Sequence, residues 1–346
     1  MTWLEQKILG LFVKSNGILS KPFYGGIGHI FMLHRVLPQQ ERKKLPLTSS
    51  MAITPSHLEF IIRFFKDKGY EFVSLDEVEE LVKGKKRQSK KFVALTIDDG
   101  YKDNITYGLP IFEKHNIPVT IYACPKFAEG KGLLWWLLLE KFVLENAGLT
   151  LEENINKQTW SWKTDDERRK AYAQISNIIK KQPPKAQREI ITSSLKLSET
   201  DINNLCSATM LNWEELQVAS QHKLITIGGH TINHPVLSLL PKSICLAEMI
   251  QSKDELSNRL NTNIEHFAYP YGGLEDAHCR EYKMAEQIGF KTATINYPGN
   301  VFKHSKSSMT ALPRMPLGET TDQNKLTEII TGITHFGFNG WNRSRL

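Results

Sequence analysis

Two adjacent carboxylates, Asp98 and Asp99, stand at the end of the apolar run Phe92–Ile97, with Gly100 behind them. Taken alone, an Asp-Gly pair is an ordinary solvated turn. A strand buried on both faces would instead carry both charges to the end of a sheet, where they need a metal or a partner. A second element, Gly229-His230-Thr231-Ile232-Asn233-His234-Pro235, also follows an apolar stretch, Leu224–Gly228. The spacing of His230 and His234 puts two imidazoles on one side of a helical turn or tight loop, which suits a transition metal. A lone pair of histidines at this spacing also arises by chance on a surface. Together the two elements say more, because the carboxyl ends of strands converge in an α/β barrel. Two histidines and one carboxylate leave open positions on a metal, and the second carboxylate stays free as a base. That is the layout of a metal-assisted hydrolase.

The elements that must hold these residues alternate between strand and helix, the pattern of an α/β fold. Strands are predicted at 28–36, 71–75, 92–97, 119–123, 224–228, 265–269, 291–295 and 312–315. Thr54-Pro55 opens a helix as cap and first position, and Leu58, Ile61, Ile62 and Phe65 form its apolar face. Further helices fall at 76–81, 104–115, 214–220, 243–260, 275–288 and 323–332. Asn212 and Glu215 make a capping box for the helix at 214–220. Residues 127–210 break the rhythm: they are polar and helix-favouring, carry no strand signal, and include Trp135, Trp136, Trp160 and Trp162. They read as a helical insertion on the face where barrels carry active sites, a candidate lid or substrate-binding subdomain. Its tryptophans serve core packing or stack on sugar rings. The implied organisation is an N-terminal helical segment (1–27), a barrel (28–126 and 211–320), the insertion (127–210) and a C-terminal helix and tail (321–346).

Composition bounds the rest. The 346 residues include 44 Lys or Arg and 37 Asp or Glu, a formal charge of +7. This permits attraction to anionic substrates or lipid surfaces but is too mild and too evenly spread to point to nucleic acid. Four cysteines, none in a C-x-x-C pair, exclude a zinc ribbon and read as free thiols. The basic stretch 83–91 reads as a solvated loop, with an anionic binding patch as its alternative. No secretory signal or long uncharged apolar run is visible, so the expectation is a cytoplasmic chain. Residues 3–13 form a short amphipathic segment, read as packing on the body of the protein, with weak peripheral membrane contact as the alternative.

Thr96–Gly100 resembles the T-F-D-D-G motif of polysaccharide deacetylases, the NodB-homology or carbohydrate esterase family 4 enzymes. His230–Pro235 is similar to their H-S/T-x-x-H-P motif, and Phe267-Ala268-Tyr269-Pro270-Tyr271-Gly272 to their third, around Pro-Tyr-Gly. The resemblance runs from about Gly28 to Leu317 apart from the insertion. It implies a distorted (β/α) barrel of seven or eight strands and removal of N-acetyl groups from an amino sugar of a glycan or glycan precursor. It also implies Asp98 as general base, a zinc-like divalent metal on Asp99, His230 and His234, and an oxyanion held by the Tyr271 N–H. Two departures stand out. Ala268 occupies the neighbourhood of an Arg that orients the base, for which Arg314 is the candidate replacement. The late L-x-x-H motif that supplies the acid is absent, which leaves His34, at the end of the first strand, and His304 as candidates. Other readings are an amidase of a non-sugar N-acyl compound and a catalytically degenerate carbohydrate-binding protein.

Overall fold

The computed structural model of the protein describes residues 1–153, 156–303 and 309–342. Its centre is a parallel sheet whose principal strands are β1 (Gly28–Leu33), β2 (Phe92–Ile97), β3 (Val119–Ala123), β4 (Ile225–Gly229), β5 (His266–Ala268), β6 (Thr292–Ile295), β7 (Leu312–Pro313) and β8 (Met315–Pro316). The order is β7-β6-β5-β4-β3-β2-β1-β8, with Glu71–Phe72 paired to β2 off this path. The two edges, β7 and β8, are one stretch of chain interrupted at Arg314. Leu312 and Pro313 pair with Thr294 and Ile295, whereas Met315 and Pro316 pair with Phe31 and Met32. The sheet is therefore nearly closed into a barrel, with helices around it, and its last stave changes partner at Arg314.

Alternation along the strands separates two cores. Phe31, Leu33, Val93, Leu95, Ile97, Ile121 and Phe267 pack beneath the surrounding helices, while Ile30, Ala94, Tyr122, Ala268 and Leu312 form a second cluster. Small residues make room in the second cluster. A Cβ on Gly228 would come 2.5 Å from the Tyr122 ring.

The sequence-predicted strands at 92–97 and 119–123 and the helix capped by Asn212 are found as expected. Two expectations are corrected. The first strand stops at Leu33, and Arg35–Val36 pairs separately with Ala52–Ile53, so His34 sits in a break between two short ladders. The 127–210 region is not all helical: Gly148–Glu153 and Asn156–Ser161 form an antiparallel hairpin. Polar residues hide its alternation, because only Leu149, Leu151 and Trp160 among its described side chains face the insertion's own core. The helix Trp3–Lys14 lies on the C-terminal helix Ile333–Asn339, with the Phe12 and Phe336 rings 5.0 Å apart. No helix among the described residues is long and apolar enough to cross a membrane.

On β1, fully buried His29 meets Asn300 Oδ1 at 2.8 Å. Burial pushes its imidazole down from 6.5 to about 3, more than the Asn300 hydrogen bond raises it. A group whose folded pKa is depressed contributes stability that is present above its unfolded pKa and lost as pH falls. Between pH 7 and pH 5, His29 alone should therefore cost about 2 kcal/mol of folding stability. Denaturant midpoints at the two pH values should converge by that amount in His29→Gln. Equal acid sensitivity in the variant would remove His29 as the cause.

Candidate active site

Thr96 faces the barrel interior, and Asp98 keeps that parity: its N–H continues the ladder to Leu33 O at 2.9 Å. Asp99 would then point outward, but its φ of +73° and the +80° of Gly100 turn the chain back. Both carboxylates consequently face the same space. Thr231, His234 and Tyr271 also have φ near +60°. A β-branched residue in that region is a genuine outlier, and such strain gathers at functional sites.

His230 follows β4 and donates from Nδ1 to Ala268 O at 2.7 Å. In the neutral ring this leaves the Nε2 lone pair aimed at Asp99 Oδ1, 3.5 Å away. His234 Nε2 lies 3.3 Å from the same oxygen. One donor atom from each of Asp99, His230 and His234 lies within 4.8 Å of the others, and all three residues are buried. Asp99 Oδ1 has no hydrogen-bond partner among the described residues. The His230 lone pair and the His234 Nε2 converge on an unsatisfied buried carboxylate oxygen, an arrangement that calls for a cation or a proton between them. The donor set therefore fits a divalent metal of the borderline, nitrogen- and oxygen-binding kind. Burial pushes Asp99 up, and positive charge between it and the two imidazoles, a proton on the rings or a cation in their place, holds the carboxyl well below the usual carboxylate range. Burial likewise pushes His234 down, against the pull of Asp99.

Arg314, at the seam of the barrel, is fully buried. Its guanidinium grips Asp98 with both forks, Nη1 to Oδ1 at 2.6 Å and Nη2 to Oδ2 at 2.8 Å. Nη1 also donates to Thr96 Oγ1 at 3.0 Å, and the guanidinium lies 5.5 Å from the Tyr122 ring centre. Burial pushes Asp98 up, and the charge and hydrogen bonds of Arg314, together with the positive charges of His230 and His34 when present, more than reverse it, so the carboxyl titrates below its ordinary value.

Tyr271 and the insertion form one wall. The Trp135 indole donates to the Tyr271 hydroxyl at 3.2 Å, and the Trp136 indole to the Tyr101 hydroxyl at 2.8 Å. Trp136 and Tyr271 flank the His234 ring at 5.4 and 4.7 Å. Lys180 lies 4.8 Å over the Tyr271 ring and pairs with Asp276 at 2.6 Å. All four tryptophans of the insertion are buried, so packing is their role. His34 is half-buried, and its positive charge, when present, lowers both Asp98 and Asp99. His304 lies outside the described residues.

Sequence reasoning missed Glu248, on the helix Lys242–Leu260. Its carboxylate accepts from Ile232 N at 2.9 Å, Asn233 N at 3.0 Å and Asn233 Nδ2 at 2.6 Å, pinning the strained turn between the two histidines. No local signal marks a glutamate inside a long helix as the partner of a turn earlier in the chain. Glu248→Ala should weaken divalent-cation affinity by about 10–100-fold, the usual cost of losing an outer positioning contact. Calorimetric titration of zinc checks this, and an unchanged affinity would show that the turn holds itself.

The family model for polysaccharide deacetylases matches residues 85–293. The curated Bacillus subtilis protein YxkH is 28% identical over 78 residues, which span 22% of this chain and 28% of that protein. The chain thus matches little more than a quarter of that relative's length. Among solved structures, the Streptococcus pyogenes deacetylase PplD in complex with acetate aligns over 88% of this chain and 96% of its own, with a TM-score of 0.57 at 17% identity. IcaB from Ammonifex degensii covers 88% and 97% at a TM-score of 0.56 and 16% identity. At these identities the structural likeness speaks for the fold.

Proposed function

The chain belongs to the polysaccharide deacetylase family, and from that premise we propose that it is a metal-dependent hydrolase removing N-acetyl groups from an amino sugar of a glycan or glycan precursor. The observation that carries this reading is the convergence of Asp99, His230 and His234 beside an Asp98 clamped by Arg314. The barrel staves from 28–126 and 211–320 form the catalytic body in this reading, and the insertion at 127–210 bounds the substrate.

A divalent cation, zinc being the best match to the donor set, would supply Lewis-acid polarisation of the acyl carbonyl and a more acidic water. Asp98 accepts the proton of the attacking water as its oxygen bonds to the carbonyl carbon. Arg314 keeps that carboxylate ionised near neutral pH and fixes both of its oxygens, so no rotamer search precedes proton transfer. The backbone N–H of Tyr271 donates to the tetrahedral oxyanion. His34, protonated at the outset, gives its proton to the departing amine as the C–N bond breaks; acetate leaves, and the proton on Asp98 passes to solvent or back to His34. The support for His34 is its half-buried position at the end of β1, close enough for its charge to act on both carboxylates.

Acetate release from N-acetylglucosamine oligomers tests the reading, with and without prior chelation. Release that stops on chelation and returns with zinc is the expected result. A panel of N-acylated amines lacking a sugar ring separates a sugar deacetylase from a broader amidase. Protein holding one metal per chain yet releasing no acetate from any N-acetylated glycan would overturn the assignment and leave a binding protein.

A further inference from the structure

We propose that the outward face of the helix Trp3–Lys14, together with the exposed Ile18 and Phe23, docks this protein on an anionic lipid bilayer. The proposal is independent of the catalytic reading. One side of the helix is spoken for: Phe12 is buried against Tyr24 and Phe336, with Ile8 and Leu9 packed beside it. At the helical turn angle, Trp3, Leu4, Lys7, Leu11 and Lys14 share the opposite sector, about 100° wide. A surface helix ordinarily turns a polar face to water. Here Trp3, Leu4 and Leu11 are 67%, 52% and 55% exposed. Ile18 and Phe23, large apolar residues that follow the helix along the chain, are 75% and 55% exposed, and Trp341, beside Phe336 of the same cluster, is 52% exposed.

The charges on this strip are of one sign. Residues 1–27 contain Lys7, Lys14 and Lys21 and a single acid, Glu5. Glu5 is engaged in the helix cap, accepting from Thr2 N at 2.6 Å. Lys7 Nζ sits 3.9 Å over the Trp3 ring, so cation and indole share one patch. Apolar residues flanked by tryptophan and long lysine stems suit the boundary between headgroups and acyl chains, where the ammonium groups reach anionic lipid. A second copy is the weaker occupant, because a two-fold contact through this face would set the lysines against one another. No membrane-spanning helix is needed or found among the described residues. The helix joins the barrel through residues that precede β1, whereas Asp98 and Asp99 follow the carboxyl end of β2, so docking leaves the catalytic residues untouched.

The test is cosedimentation of the 346-residue chain with phosphatidylcholine vesicles, with and without roughly 30% phosphatidylglycerol, at low and high salt. Binding to the anionic vesicles that falls at least about ten-fold in Leu4→Glu/Leu11→Glu, and falls again with salt, is expected. Acetate release from a soluble substrate should be unchanged in the variant. Should that variant unfold, Lys7→Glu/Lys14→Glu replaces it, since both side chains are solvent-exposed. Absence of binding to anionic vesicles, equal binding to pure phosphatidylcholine, or equal binding by the variants each overturns the proposal. A solution dimer that dissociates in the variant, without vesicle binding, overturns it in favour of a second copy.

Discussion

Asp98→Asn and Arg314→Met should each lower kcat/KM for deacetylation by about 10²–10⁴-fold, for different reasons that pH separates. The asparagine cannot accept a proton at any pH, so its residual activity is not recovered as pH rises. In Arg314→Met the carboxylate remains but has lost its nearest charge and both of its hydrogen bonds, and burial is opposed only by His230 and His34. Its pKa must rise. The acidic limb of the pH–rate profile should therefore move upward, with activity partly recovered as pH increases. Folding stability should show the reverse dependence on the pair. Removing either partner leaves a buried charge uncompensated, which costs about 3–5 kcal/mol. Arg314→Met/Asp98→Asn should be more stable than either single variant and still inactive. A double variant no more stable than the singles would mean that packing around Tyr122, and not charge compensation, dominates the cost of losing Arg314. An unmoved acidic limb in Arg314→Met would mean that Arg314 does not set the charge state of the base.

The parts of the fold legible in the sequence are those fixed by local rules. Phe92–Ile97 is apolar at nearly every position because both faces of a barrel stave are covered, and the structure begins and ends it where the run does. The start of the helix Trp213–Ser220 is equally local, since Asn212 and Glu215 satisfy each other's backbone across three residues. The site is legible to the extent that it borrows the same signals: Asp98, Asp99, His230 and His234 all lie just beyond strand ends. What the sequence hides depends on long-range placement. Arg314 is legible only as a candidate to replace the missing arginine, because its grip depends on barrel closure bringing the seam onto Thr96 and Asp98, more than two hundred residues earlier. Glu248 is invisible for the same reason. The hairpin of the insertion is a third case: polar side chains fill most of its positions, so its alternation does not read as apolar. His34 shows the limit from the other side, since the apolar residues Ile30–Leu33 resume at Val36 and Leu37 across His34 and Arg35, and nothing local marks the change of ladder there.

Adding a divalent cation to chelated protein should raise its melting temperature, and Asp99→Asn should abolish the response. At a free concentration about a thousand times Kd, occupancy contributes about 4 kcal/mol, worth roughly 6 °C for a chain of this size. The metal-free comparison is the sharper one. In the wild type at pH 8, above the ordinary imidazole range, two Nε2 atoms at 3.3 and 3.5 Å face a carboxylate oxygen with no donor among the described residues. An asparagine would place an N–H donor within reach of those lone pairs and remove the charge. Metal-free Asp99→Asn should thus melt no lower than metal-free wild type, while its deacetylation falls by at least about 10³-fold. This inversion distinguishes a cation site from a structural cluster. If the three residues merely bonded one another, the substitution would lower the melting temperature of the metal-free protein, and zinc would shift neither form. The same experiment bears on the strain at Thr231 and His234. Left-handed backbone at two positions of one turn persists only where surrounding contacts over-determine it. Glu248 supplies three such contacts from outside the turn, and the cation would supply the remaining constraint from within.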